Sequence, residues 1–199
     1  MKNGKIRNPL SRIRYNSPVV LTFALLSLAV LAADRISGSR TTSLLFSVYR
    51  SSPADPLTYI RLFGHVLGHA SFAHYFNNMS LLLVVGPIAE EKYGGKRLLL
   101  CFALTALVSG LLHCLISPDT ALLGASGIVF MLILLSAFAG AESGTIPLTL
   151  ILVALIYFGS EIYTAVTEAD QISQLAHIAG GICGIVCGVV LGKRKTASI

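Results

Sequence analysis

Apolar residues in this chain come in long runs that contain almost no charge, and the charged residues collect between the runs. A helix that crosses a membrane needs about 20 predominantly apolar residues, with a working range of about 17 to 25. Runs of this kind cover residues 18–33, 72–89, 98–116, 122–139, 146–163 and 172–191. The pattern predicts six spanning helices with little outside them. A basic start followed by Ala29, Ala32 and Ala33 would also suit a cleaved signal segment in place of the first helix. The five further runs favour an uncleaved first span.

Composition agrees with the pattern. The 199 residues are 54% hydrophobic and 12% charged, and the mean hydropathy is +0.77. The expected fold is therefore all-α: one polytopic membrane domain over residues 18–192, between basic tails at 1–17 and 193–199, with no soluble domain. Charge adds an orientation. Lys2, Lys5, Arg7, Arg12 and Arg14 precede the first run, Lys193, Arg194 and Lys195 follow the last, and Lys92, Lys96 and Arg97 lie after the second. Under the bias that keeps Lys and Arg inside, both termini are expected in the cytoplasm, as an even number of spans requires. Arg35, Arg40, Arg50 and Arg61 run against this bias, in a first external loop at about 34–70. Basic tails beside spanning helices read as topology signals and contacts to anionic membrane lipids, not as nucleic-acid binding. A bacterial plasma membrane suits this charge pattern. Within the external loop, Leu44, Leu45, Phe46 and Val48, then Leu62, Phe63, Val66 and Leu67, suit either interfacial helices or a partly ordered surface loop. Cys101, Cys114, Cys183 and Cys187 fall inside predicted spans, where cysteine acts as a small hydrophobe.

Polar side chains inside spans are costly and raise a functional question. His65, His69, His74, Asn77 and Asn78 gather at the entrance to the second run, Ser126 stands at the start of the fourth, and His177 lies in the sixth. His113 stands apart and reads as a bystander. Spans two, four and six share one direction, so their N-terminal ends share the external face. Asp119 precedes Ser126 by seven residues and Asp170 precedes His177 by seven, a depth of up to about 10 Å in a helix. The serine and histidine can therefore be level. His74 and Asn78, four apart, lie on one helical face.

Gly124 and Gly127 flank Ser126, as expected where a descending loop turns into a helix. A helix start presents backbone N–H groups to an anion. In the sixth run Ala176, Gly180, Gly184, Gly188 and Gly192 recur every four residues, a stripe that lets another helix approach at backbone distance, and His177 lies beside it. Taken singly, Ser126 and Asn78 read as interhelical hydrogen-bonding groups and His177 as a buried bystander. Convergence at one depth points instead to a nucleophile, a base and oxyanion donors in one shallow pocket.

These residues resemble the rhomboid family of intramembrane serine proteases. The G-x-S-G signature appears as Gly124-Ala125-Ser126-Gly127, and the A-H-x-x-G-x-x-x-G signature as Ala176-His177, Gly180 and Gly184. An H-x-x-x-N pattern appears as His74 to Asn78, preceded by His65 and His69, while Gly86, Glu90 and Gly94 match the turn after the second helix. Arg61 matches the arginine of a first-loop tryptophan-arginine pair. The resemblance spans roughly residues 61–188. It implies a six-helix rhomboid-like core and an endopeptidase that cuts transmembrane protein substrates near the external membrane face. Ser126 would be the nucleophile and His177 the general base, with His74, Asn78 and the Ser126 backbone N–H stabilising the oxyanion. Gly124, Gly127, Phe130, Gly180 and Gly184 would support them, and neither a cofactor nor a metal is called for. Two departures stand out: Ile60 replaces the tryptophan, and Phe130 occupies a position where relatives often have tyrosine stacked on the histidine.

Two other readings compete. His65 and His69 have the i, i+4 spacing of a zinc-binding helix, but Val66 stands where an H-E-x-x-H motif has glutamate. A rhomboid-like protein that binds membrane helices without cutting them typically lacks Ser or His of the dyad, and both are present here.

Overall fold

The computed structural model describes residues 14–117, 119–138, 145–167 and 172–193. Lys2, Lys5, Arg7, Arg12, Arg194, Lys195 and Asp170 lie outside the described residues, as does the end of the fourth apolar run beyond 138. The elements are helices: α1 Pro18–Ile36, α2 Arg40–Leu45, α3 Pro56–Gly64 with a 3-10 turn at His65–Leu67, α4 Phe72–Tyr93, α5 Gly95–Ile116, α6 Ser126–Ala137, α7 Leu148–Thr167 and α8 Ile172–Lys193. By length and composition, Pro18–Ile36, Gly95–Ile116 and Gln174–Gly192 are apolar enough to cross a membrane, and Ser126–Ala137 and Leu148–Ser160 are shorter apolar helices. The fourth apolar run does not become a helix along its whole length, since residues 122–125 lie outside any helix and α6 begins at Ser126. α4 carries Asn77 and Asn78 near one end and Glu90, Glu91 and Lys92 at the other, which lowers its hydropathy below that of its neighbours.

α6 is central. Ile128, Val129, Met131, Leu132, Leu134 and Leu135 are all buried, and a helix that is apolar on every side is one enclosed on every side. The closest partner is α8, whose small-residue stripe fits α6 along its length. A Cβ on Gly180 would fall on the Gly127 carbonyl oxygen, one on Gly184 on that of Met131, and one on Gly188 on the Phe138 ring. Positions advance in the same order on both helices, so α6 and α8 run parallel. α4 joins them in the same direction, with Asn78 near Gly124 at one end and the Ser136 hydroxyl donating to the Val85 carbonyl at 3.2 Å toward the other.

α1 runs against α4. The start of α1 has no side-chain cap of its own, and the buried Glu90 side chain accepts from Val19 N and Val20 N at 3.0 Å each. Free N–H groups at a helix start carry partial positive charge, so one carboxylate satisfies two of them and fixes the end of α4 to the start of α1. Glu90→Ala leaves both donors buried without an acceptor, at about 1–3 kcal/mol each. Its melting temperature in detergent should fall clearly below wild type, with Glu90→Gln intermediate; an unchanged Glu90→Ala midpoint would refute the capping role.

The segment between α1 and α4 is ordered by short helices. Asp34 Oδ1 accepts from Thr42 N at 2.7 Å and caps α2, and Asp55 accepts from Leu57 N at 3.0 Å to cap α3. Arg61 is 4% exposed and joins the pieces. Its Nε donates to the Leu44 carbonyl at 2.9 Å, its Nη1 pairs with Asp55 at 3.2 Å, and its guanidinium lies over the Tyr49 ring at 4.6 Å. Ile60 is 49% exposed beside it. Arg61 therefore joins the pieces of this connection without an adjacent tryptophan.

Candidate active site

The approach to Ser126 is held from three sides. Val48 and Leu122 exchange backbone hydrogen bonds at 2.9 Å each way, Gly124 N donates to the His65 carbonyl at 3.0 Å, and buried His113 donates from Nε2 to the Thr120 carbonyl at 3.1 Å. His113 is therefore more than a bystander, because it fixes the bend that leads from α5 down to α6. At Gly124 the backbone has φ +122°, and a Cβ there would lie 2.8 Å from Cε1 and Nε2 of His74. Only glycine combines that conformation with that approach.

Ser126 is the first residue of α6 and is partly exposed. On one side of it stand His74 and Asn78. Ser71 caps α4 by accepting from His74 N at 3.1 Å, which sets His74 in the first turn. Asn78, one turn on, is buried with its Nδ2 lacking a hydrogen-bond partner among the described residues. That nitrogen lies 3.9 Å from the position of a Gly124 Cβ. An amide donor in this state costs stability unless something accepts from it. Asn77 is exposed and lies outside the pocket.

On the other side stands α8. The Ala176 carbonyl oxygen is 3.3 Å from a Cβ placed on Gly127, so the residue after the serine faces the residue before the histidine. The His177 ring stacks on Phe130, with centroids 4.4 Å apart and planes 7° from parallel. Phe130 is one turn after Ser126 and shares its helix face, so His177 is laid over the face that carries the serine. Tyr157 of α7 closes on the far edge of Phe130 at 5.2 Å. Gly180 and Gly184 set the close approach of α8. His74 and Asn78 thus stand against Gly124, before Ser126, and the start of α8 with His177 stands against Gly127 and Phe130, after it, at one end of the parallel trio α4, α6 and α8.

His65 and His69 do not converge as a ligand pair. The His65 ring lies between the Arg61 carbonyl, at 3.2 Å, and Ser109 Oγ, at 3.3 Å. His69 donates to the Leu67 carbonyl at 3.1 Å and packs edge-on against His74 and Tyr75. Burial lowers both pKa values to about 4; the His74 charge adds to the effect at His69, while carbonyl contacts from Arg61 and Leu62 oppose it at His65. Both rings are therefore neutral in the fold, whereas the unfolded chain takes up protons near the ordinary value of about 6.5. Their contribution to stability is complete above that value and is lost as pH falls through the window toward 4. Thermal unfolding in detergent should show a midpoint lower at pH 4.5 than at pH 7, by about 2 kcal/mol for each histidine, about 4–8 °C apiece, and less so in a His69→Gln variant. A midpoint independent of pH would contradict buried neutral histidines.

The Rhomboid domain profile matches residues 56–194 of this chain. That range covers α3 to α8 and every residue of the cluster. The chain belongs to the rhomboid family. It is an integral membrane protein, as its family and its long apolar helices require. Among curated proteins it is similar to rhomboid-like protein 11, chloroplastic, of Arabidopsis thaliana, at 25% identity over 193 residues. The match takes in 88% of this chain and 66% of that rhomboid's length, so the chain spans slightly less than two thirds of its relative.

Proposed function

We propose that this rhomboid is an intramembrane serine endopeptidase that hydrolyses peptide bonds of transmembrane proteins through Ser126 and His177. The observation that carries the reading is the stack of His177 on Phe130, one turn from Ser126, opposite the donors His74 and Asn78. His177 takes the Ser126 proton as the hydroxyl oxygen attacks the substrate carbonyl. Charge then develops on the carbonyl oxygen, where Asn78 Nδ2, the His74 ring and the Ser126 backbone N–H act as donors. Collapse expels the amine, which leaves with the proton from His177. Water, activated by the same imidazole, then releases the acyl group and regenerates the serine.

The proposal includes the membrane arrangement. α1 and α4 to α8 make six crossings, both basic ends face the cytoplasm, as in a bacterial plasma membrane, and the Ser126 pocket opens near the opposite, external surface. A peptide bond in an intact helix is shielded by its own hydrogen bonds, so preferred substrates carry helix-destabilising residues near that surface.

The test is reconstitution in liposomes with a labelled transmembrane substrate. Wild type should cleave and Ser126→Ala should not; equal cleavage by both would exclude the serine mechanism, and cleavage by neither would favour a helix-binding protein without activity. Phe130 gives a finer check. Phe130→Tyr keeps the ring stack and should stay within about two-fold of wild type, whereas Phe130→Ala releases the imidazole and should lower kcat by about 10²-fold, as misplacing a catalytic group does. Equal rates for both variants would remove the positioning role.

A further inference from the structure

At the end of the bundle marked by Glu90, away from Ser126, a slot of about 290 Å³ opens between the first turns of α1 and α5. Phe23 and Phe102 floor it, edge to face with centroids 5.2 Å apart, and Leu26 and Leu99 form its exposed rim. Thr22 also lines it and is tied to the Tyr15 hydroxyl at 3.0 Å, which folds the tyrosine back along α1 toward the mouth. The slot is apolar, as a hydrocarbon chain requires. Basic residues stand next in sequence to its lining. Arg14 precedes α1, and Lys96 and Arg97 open α5, with Lys96 one turn before Leu99 on the same face. All three are exposed, and none has an ion-pair partner among the described residues. Of the acids at this end, Glu90 is occupied by the α1 backbone, which leaves Glu91 as the nearest opposing charge in sequence. Lys96 and Arg97 also stand at a helix start, where the backbone dipole adds to positive charge instead of relieving it.

We infer that this slot is a binding site for an anionic glycerophospholipid, one acyl chain lying against Phe23 and Phe102 and the phosphate headgroup meeting Arg14, Lys96 and Arg97. The apolar floor accepts any lipid chain, and the basic mouth selects the charge. Each Lys or Arg near an anionic headgroup contributes about a five-fold preference. The site is independent of the peptidase reading, because no residue of it takes part in the Ser126 pocket.

The sequence contains no tryptophan, so one introduced indole reports on one place. Leu26→Trp and, separately, Leu99→Trp would be reconstituted in phosphatidylcholine vesicles containing a minor fraction of phosphatidylglycerol, with bromine on the chains of one lipid or the other. Both reporters should be quenched by brominated phosphatidylglycerol at about 10²-fold lower mole fraction than by brominated phosphatidylcholine. The preference should fall to near unity when Arg14→Gln, Lys96→Gln and Arg97→Gln are added together, and should be absent from Leu155→Trp on the exposed face of α7. Equal quenching by the two lipids at both slot positions would overturn the inference. So would a preference that survives the three neutralising substitutions or is matched at Leu155→Trp.

Discussion

A single methyl group at position 180 is expected to force α8 away from α6 and to remove both stability and activity. The Cβ of Gly180→Ala would fall on the Gly127 carbonyl oxygen, 2.8 Å from the carbonyl carbon and 2.9 Å from the Gly127 Cα. These are backbone atoms of a helix enclosed on all sides, so no side-chain rotation relieves the clash. Overpacking in a core costs about 1–3 kcal/mol where side chains can yield, and here the cost should reach or exceed the top of that range. The displacement also acts on the pocket, because Gly127 follows Ser126 and Ala176 precedes His177. Gly192→Ala is the matched control on the same stripe: nothing lies within 4 Å of its Cβ, and alanine is the better helix former by about 1 kcal/mol. A detergent melt should separate the two, with Gly180→Ala many degrees lower and Gly192→Ala unchanged or slightly raised. Equal midpoints would mean that α6 and α8 do not meet at backbone distance.

Loss of either member of the proposed dyad should be as complete as loss of both. Ser126→Ala removes the attacking oxygen, and His177→Ala removes the base that makes that oxygen nucleophilic, so each abolishes the same step. Groups that act as a unit are strongly non-additive. Each single variant is expected to lower cleavage by about 10⁴-fold or more, and the double variant no further. Multiplication of the two effects in the double variant would indicate two independent routes and would contradict the shared step. Ser126→Ala should melt near wild type, and His177→Ala, which loses the stack on Phe130, somewhat lower but well above Gly180→Ala.

The parts of this architecture visible in the sequence are those set by local period or by order along the chain. The apolar runs give the helices because a continuous run leaves little choice of partner for the backbone in lipid. The stripe at Ala176, Gly180 and Gly184 signals a close contact because its four-residue spacing lies on one face, and the structure places Gly127 and Met131 against it. Gly124 and Gly127 likewise mark the start of α6 at Ser126, which the apolar run from 122 onward would have put a turn earlier. Other features depend on partners far away in sequence and leave no local trace. Glu90 reads as part of a turn, yet its oxygens cap a helix some seventy residues earlier. His113 reads as a bystander, yet it holds the Thr120 carbonyl and with it the descent to Ser126. The pairing of Val48 with Leu122 joins two loops that neither composition nor spacing connects. Phe130 shows the intermediate case: its place four residues after Ser126 and, from the resemblance, its stack on His177 are legible, and the structure adds Tyr157 packed against the same ring.

The reactivity of Ser126 itself is the most direct measure of the proposed chemistry. A fluorophosphonate captures a serine only when a neighbouring base has raised its nucleophilicity, and it forms a stable phosphonyl ester that mass spectrometry assigns to one residue. Wild-type protein in detergent or liposomes should carry the adduct on Ser126, and folded His177→Ala should carry none. An adduct on another serine, an unmodified Ser126 in folded wild type, or equal labelling of wild type and His177→Ala would contradict a Ser126–His177 dyad.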